Sequence, residues 1–279
     1  MKLKKFVLGT VALVSVAVLG ACGNGSNDDE ASNENTWQQV EESKKITIGL
    51  DDTFVPMGFK DEDGEIVGFD IDLAKAVFEQ YDVEPTFQPI DWSMKENELE
   101  NGTIDLIWNG YTMTKAREEK VAFSKPYAQN EQVIVAEKDS GITKDEDLKD
   151  KILGAQEGSS GYEAFNNEPE KLKDLVTDQD ATLYASFNEA FIDLESGRID
   201  GLLIDRVYAD YYLKQAGKTD DFTVFNAGFN NENFAVGARK DDTELVGKIN
   251  DAFDKLQEDG KYGEISQKWF GEEWSLPEE

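Results

Sequence analysis

Apolar runs of strand length alternate with amphipathic helical runs twice along this chain, and that order constrains its fold more than any other feature. Ile46-Thr47-Ile48-Gly49-Leu50 reads as a strand, followed by a polar loop to Pro56 and a hairpin turn at Asp63-Gly64. From Phe69 onward, Leu73, Ala74, Val77, Phe78 and Tyr81 recur at three- and four-residue steps, the spacing of a helix with one buried face. A strand over 87–90 follows, then a helix opened by the capping-box pair Ser93 and Glu96 and stopped at Gly102, then the strand Ile104-Asp105-Leu106-Ile107-Trp108. This order predicts a parallel sheet with polar loops at the carboxyl ends of its strands. A second unit begins after the strand 132–136. It has a strand at 151–155, a polar turn Gly158-Ser159-Ser160-Gly161, and a helix for which Ser160 and Glu163 are spaced as a capping box. Ser186 and Glu189 open a further helix, and the strand 201–204 runs into Asp205. The strand 235–238 is expected to return to the first unit, ahead of helices bearing Leu245, Ile249, Phe253 and Leu256, then Tyr262, Ile265 and Trp269. The fold class is α/β.

Ahead of this body, Lys2, Lys4 and Lys5 precede an apolar run from Phe6 to Leu19. At about fourteen residues the run is shorter than the ~18–20 that span a bilayer, so it reads as an export signal, residues 1–21. Leu19-Gly20-Ala21-Cys22 looks like a bacterial lipobox, which would make Cys22 a lipidated first residue and the membrane a partner through that anchor. Residues 23–43 are rich in Gly, Ser, Asn, Asp and Glu, and read as a flexible acidic tether. The localisation expected is the extracytoplasmic face of the cell membrane.

A formal charge of −31, from 59 acidic and 28 basic residues, argues against nucleic-acid partners. With one cysteine and no histidine, the chain has no disulfide framework, no cysteine-based zinc site and no histidine-dependent nucleophile. Carboxylate-only Ca²⁺ or Mg²⁺ sites stay open, but Asp61-Glu62-Asp63-Gly64-Glu65 suits a turn better than a cation loop. No cofactor is expected.

The stretch Asn109-Gly110-Tyr111-Thr112-Met113-Thr114-Lys115-Ala116-Arg117 places a glycine, hydroxyls and one arginine across a strand-to-helix turn. Thr114 suits an N-cap, which sets Arg117 in the first helical turn, where a cation opposes the helix dipole and calls for an anion. That anion is either a bound small carboxylate or a nearby Glu, and the stretch alone leaves both open.

Taken in order, Val67-Gly68-Phe69-Asp70-Ile71-Asp72-Leu73-Ala74, Gly102-Thr103-Ile104-Asp105, Thr112 to Arg117, Val121-Ala122-Phe123-Ser124-Lys125-Pro126-Tyr127, Gly158-Ser159-Ser160 and Gly197-Arg198-Ile199-Asp200 resemble the solute-binding proteins of bacterial ABC importers, in the polar amino-acid branch. The resemblance spans 44–279 and implies a two-lobed type II periplasmic-binding fold. Its ligand cleft would lie between lobes 44–133 plus 230–279 and 134–229, with a two-strand hinge near 131–136 and 226–234. It implies Arg117 on a ligand α-carboxylate, with the Thr112 and Ser160 hydroxyls and the amides after Gly158 beside it. The Gly110 carbonyl and Asp205 would take the α-ammonium, although Asp205 also reads as a helix N-cap. Phe54 and Trp92 match aromatic positions that hold the ligand, Asp51 an acceptor for side-chain nitrogens, and Asn109 faces the same region, while Trp108 points to the core. Gln156 and Gly161 flank the remaining wall, Gly161 where many relatives carry a longer polar residue.

An aromatic pair with an acid suits a cationic side chain. The implied ligand is therefore arginine or lysine, with glutamine or cystine as alternatives, and the implied partners are an ABC permease and ATPase serving a monomer. A dehydratase-like enzyme on the same fold, using Asp51 or Asp205 as base, is the alternative of a different class, though the chain reads as a non-enzyme.

Overall fold

The computed structural model describes residues 36–277. The expected signal, Cys22 and most of the tether lie outside the described residues. The end of that tether does not: it forms helix α1 (Thr36–Ser43), which buries Trp37 and Val40 and sets Trp37 edge-on to Tyr81 at 5.0 Å. Polar composition over 23–43 masks this i, i+3 apolar pair, so the tether reading is corrected for 36–43.

The chain continues through β1 (Lys45–Leu50), a small sheet of β2 (Thr53–Phe54), β3 (Gly58–Lys60) and β4 (Ile66–Val67), then α2 (Phe69–Glu79) and β5 (Glu84–Pro89). Between β3 and β4 the acidic cluster forms a turn, in which Asp61 Oδ1 accepts from the amides of Asp63 and Glu65 at 3.0 and 2.9 Å. A 3-10 turn (Trp92–Met94) leads to α3 (Lys95–Glu100), β6 (Leu106–Ile107), α4 (Lys115–Glu118) and β7 (Val121–Phe123). Asp91, not Ser93, caps this segment by accepting from the Ser93 amide at 2.9 Å. Next come β8 (Ala128–Asn130), β9 (Gln132–Glu137), β10 (Leu153–Gln156), α5 (Ser160–Asn167), β11 (Thr182–Tyr184), α6 (Phe187–Glu195), β12 (Gly201–Asp205), α7 (Arg206–Gln215) and β13 (Phe222–Asn226). The return runs through β14 (Glu232–Phe234), β15 (Gly237–Arg239), α8 (Thr243–Glu258) and α9 (Lys261–Phe270).

Two five-stranded sheets result, β5-β1-β6-β15-β7 and β11-β10-β12-β9-β13. Each begins with three parallel strands and then takes one antiparallel strand that has arrived from the other lobe, β15 in the first and β9 in the second. The two crossings pair with each other as β8 and β14, with Ala128 opposite Phe234 and Asn130 opposite Glu232. This two-stranded ladder is the hinge. It lies earlier than 131–136, because β9 already pairs with β12 from Gln132 (opposite Asp205) to Val135 (opposite Leu202). The first lobe boundary therefore falls before residue 132 rather than after 133.

The cores explain why the loops converge. Helix α2 buries Phe69, Leu73 and Val77, with the Phe69 ring 5.2 Å from Phe270 of α9. Trp108 is fully buried edge-on to Phe253 of α8 at 5.6 Å, the core role expected of it. Gly68, at φ 144°, lies so close to Met57 that a Cβ would sit 2.2 Å from its carbonyl oxygen, so only glycine admits this entry to α2. With both sheets anchored, the carboxyl ends of β1, β6, β10 and β12 bring Asp51, Asn109, Gln156 and Asp205 to the cleft.

Candidate functional site

Phe54, Trp92, Asn109, Gly110, Arg117, Gln156, Ser159, Ser160 and Asp205, all buried, line one small cavity between the lobes. Asp51 and Thr112, the other residues expected there, are hydrogen-bonded to members of this lining. The space among them is about 10 Å³, room for roughly one water.

On the first lobe, α4 opens as expected, Thr114 Oγ1 accepting from the Arg117 amide at 3.2 Å. The buried Arg117 guanidinium stacks 4.6 Å over the Tyr111 ring and donates to the Thr112 carbonyl at 2.9 Å. Glu96, the ion-pair alternative, stands 3.9 Å away and also accepts from Tyr111 Oη at 2.9 Å. Glu96 is thus a loose partner that leaves the guanidinium edge facing the cleft. Burial works to raise the Glu96 carboxyl, but the charges of Lys95 and Arg117 outweigh it and hold it below the usual range.

Asp51 is fixed from three sides. Its Oδ1 accepts from the Thr53 amide and hydroxyl at 3.0 and 2.7 Å, and its own amide donates to Asn109 Oδ1 at 3.1 Å. Burial raises its pKa against those bonds. Gly110 has φ +57°, and its amide donates to the buried Asp70 Oδ2 at 2.8 Å, which also accepts from Tyr127 Oη at 2.8 Å. Burial pushes Asp70 up to about 7 against both of those bonds.

The second lobe offers different chemistry. Ser159, not Ser160, caps α5, accepting from the Tyr162 amide at 3.1 Å. The one-residue shift corrects the expected capping box and frees Ser160 Oγ to meet Thr112 Oγ1 across the cleft at 3.0 Å. Gln156 reaches Asp51 Oδ2 at 2.7 Å, and the Gly158 carbonyl accepts from Arg117 at 3.0 Å and from Lys95 at 2.9 Å. The Phe54 ring packs 5.9 Å from Phe187 and 5.6 Å from Tyr208, both on the second lobe, whereas Trp92 packs edge-on to Tyr111 at 6.0 Å.

Asp205 stands at the N-cap position of α7 but makes no cap bond. Its Oδ1 accepts instead from Asn130 Nδ2 at 2.5 Å and Gln132 Nε2 at 2.9 Å. Burial first, and the Glu232 charge second, raise Asp205 to about 8. Gly161 has a physical reason: a Cβ there would lie 2.4 Å from Gln132 Oε1, so the Gln132 side chain takes the space.

Sequence reasoning missed Lys95, Asp70, Asn130, Gln132 and Glu232. Lys95 is buried, bonded to the carbonyls of Trp92 (3.0 Å) and Gly158 (2.9 Å), and lowered to about 7 by burial and then by Arg117. A polar residue inside an apolar run was the available signal for Asp70, between Phe69 and Ile71. The hinge residues gave none, because they act through pairing between distant strands.

The family of bacterial extracellular solute-binding proteins, family 3, matches residues 46–272. The crystal structure of an ABC uptake transporter substrate-binding protein from Streptococcus pneumoniae with bound histidine is 57% identical, spans 88% of this chain and 100% of its own, and superposes with a TM-score of 0.87. A polar amino acid ABC uptake transporter substrate-binding protein from Streptococcus thermophilus is 53% identical over 90% of this chain and 95% of its own, with a TM-score of 0.57. The lysine/arginine/ornithine-binding periplasmic protein of Escherichia coli (strain K12) is 36% identical over 81% of this chain and 87% of its own.

Proposed function

The chain belongs to the bacterial extracellular solute-binding proteins, family 3, and from that premise we propose that its cleft captures a polar α-amino acid and delivers it to an ABC permease and its ATPase. The observation that carries this reading is that Arg117 and Asp205, from opposite lobes, line one buried cavity. A planar guanidinium suits an α-carboxylate and a carboxylate suits an α-ammonium, so a zwitterion engages both lobes at once. The Thr112 and Ser160 hydroxyls and the amides at the start of α5 lie beside the carboxylate position, and the Gly110 carbonyl complements Asp205. Phe54 and Trp92 supply apolar walls, and Asp51 adds an acceptor that favours a cationic side chain, arginine or lysine. Histidine is the second reading, favoured by the relative that binds it at 57% identity. Glutamine and cystine follow.

A cavity of about 10 Å³ admits no amino acid, so the lobes part for entry and close about the β8–β14 ladder.

Cys22 carries the lipid in this reading, after removal of residues 1–21, and holds a monomer to the extracytoplasmic face. Among the described residues no helix is long and apolar enough to cross a membrane. Loss of the protein from the membrane fraction in Cys22→Ala tests the anchor. Calorimetry with the twenty amino acids and cystine tests the ligand, and binding by none, or full binding by Arg117→Ala, would sink the proposal. Turnover of a cyclohexadienyl acid would favour the enzyme instead.

A further inference from the structure

One carboxylate beside the cleft belongs to neither lobe. Glu232 is carried by the hinge strand β14, opposite Asn130 of β8. Its Oε2 accepts from Asn130 Nδ2 at 3.0 Å and from Gln132 Nε2 at 2.9 Å. The same two nitrogens donate to Asp205 Oδ1 at 2.5 and 2.9 Å. An amide nitrogen has two hydrogens, so each side chain can give one to each carboxylate; Gln132 Nε2 also lies 3.3 Å from Ser160 Oγ, a longer contact than its 2.9 Å bonds to the two carboxylates. The Thr112 and Ser160 hydroxyls, both 3.3 Å from Oε2, complete the shell. Two carboxylates are thus bridged by two amides, with first-lobe, second-lobe and hinge residues in one network.

We propose that Glu232 is a positioning residue for the ammonium site: it locks the Asn130 and Gln132 amides so that Asp205 keeps its second oxygen, Oδ2, for the ligand, and it adds a second negative charge that a bound cation relieves. This rests on the amino-acid reading above. Asn130 and Gln132 both donate to Asp205 Oδ1, which leaves Oδ2 for a ligand. Because both oxygens lie within 3.0 Å of the same nitrogens, they are at most about 6 Å apart. Like charges at that separation disfavour double ionisation, so one carboxyl keeps a proton into neutral pH.

The charged groups that face Asp205 are Glu232, which raises it, and Arg117 of α4, which opposes that effect. Arg206, the next residue, is turned away to Glu131 and Asp210. With Asp205 near 8, an arriving ammonium expels a proton.

The experiment is calorimetry on the whole protein and on Glu232→Gln at pH 6, 7 and 8. The probe is whichever of L-arginine, L-lysine and L-glutamine binds, since none changes charge appreciably over that range. Wild type at pH 7, in buffers of different ionisation enthalpy, should release close to one proton per ligand. Going from pH 6 to pH 8, the ratio of the Glu232→Gln Kd to the wild-type Kd should rise severalfold, because the neutral amide removes the second of the two causes that raise Asp205 while burial, the first, remains. Asp70 and Lys95 titrate in this window in both proteins and cancel in the ratio. Glu232→Gln keeps an acceptor oxygen for the amides, and a melting curve at pH 8 reports its folding. If it fails to fold, Glu232→Ala replaces it in the same pH series. A ratio that does not change with pH, or binding without proton release, overturns the role of Glu232 and leaves the function intact. Failure of wild type to bind any amino acid overturns the function itself.

Discussion

The two faces of the cleft are held in different ways. On the first lobe, the site groups are fixed largely by their own lobe: Arg117 by Tyr111 and the Thr112 carbonyl, Asp51 by Thr53 and Asn109, Gly110 by Asp70. On the second lobe, the polar groups divide their bonds between their own lobe and partners across the cleft or on the hinge: Gln156 on the Ala185 carbonyl and on Asp51, Ser160 on Gln132 and on Thr112, the Gly158 carbonyl on Arg117 and Lys95, Asp205 on Gln132 and on Asn130. The first face is therefore a preformed half-site, and the second is completed by closure. Preorganised groups lose less entropy on binding, so first-lobe substitutions should cost more affinity than second-lobe ones.

The strongest way to break this comparison is Arg117→Ala. Two charge-assisted bonds to a carboxylate contribute roughly 1.5–3 kcal/mol each, so affinity should fall by about 10²–10⁴-fold by calorimetry. A smaller loss than that for Asp205→Asn would mean the second lobe carries the affinity. Lys95 comes next, as a first-lobe group bonded to the second-lobe Gly158 carbonyl. Its folded pKa, about 7, is depressed below its unfolded value, so between pH 8 and 10 the unfolded chain binds the extra proton and stability rises with pH. That contribution is about 1.4 kcal/mol per pH unit, and Lys95→Met should lose it in urea unfolding at pH 8 and pH 10. Asp70 and Asp205, raised to about 7 and about 8, contribute the opposite slope, stability falling as pH rises from about 4 toward those values, and so act mostly below this window.

Gly110→Ala tests whether the first face is rigid. A Cβ there would lie 2.7 Å from the Phe54 ring and 3.3 Å from Phe234, at φ +57°. Displacing Phe54 and holding alanine in a left-handed conformation should cost about 1–3 kcal/mol of stability, read as a lower urea midpoint. An unchanged midpoint would mean the loop yields, and the half-site is not preformed.

What was legible follows the same division. Periodicity reads contacts within one element, so α2, α6 and the alternation of strands and helices along the chain could be read from spacing, and Trp108 could be assigned to the core. Arg117 with its Thr114 cap was readable because both sit in one local turn. Legibility failed where function depends on pairing between distant segments. Asn130 and Glu232 become neighbours only when β8 meets β14, and Lys95 acquires its role only when Gly158 closes over it. The capping errors have a local cause: Ser159 and Ser160 both suit the cap by composition, and only the backbone conformation decides which is extended and which begins the helix.

The rim supplies the smallest test and the sharpest limit on the comparison. Thr114 Oγ1 donates to Glu163 Oε2 at 3.2 Å, a bond between lobes that resembles those deeper in the cleft. Unlike them it lies outside the small cavity, where water competes for both groups and the bond contributes little, about 0.5–1.5 kcal/mol at most. Thr114 also has its own lobe to serve, since the same oxygen caps α4. Glu163→Ala should therefore weaken ligand binding by less than about tenfold, while Thr114→Ala should also destabilise the first lobe by about 1 kcal/mol through the lost cap. If Glu163→Ala instead weakened binding as much as Asp205→Asn, cross-cleft bonds would contribute wherever they lie. The contrast between a preformed face and a closing one would then give way to a model in which the whole rim grips the ligand.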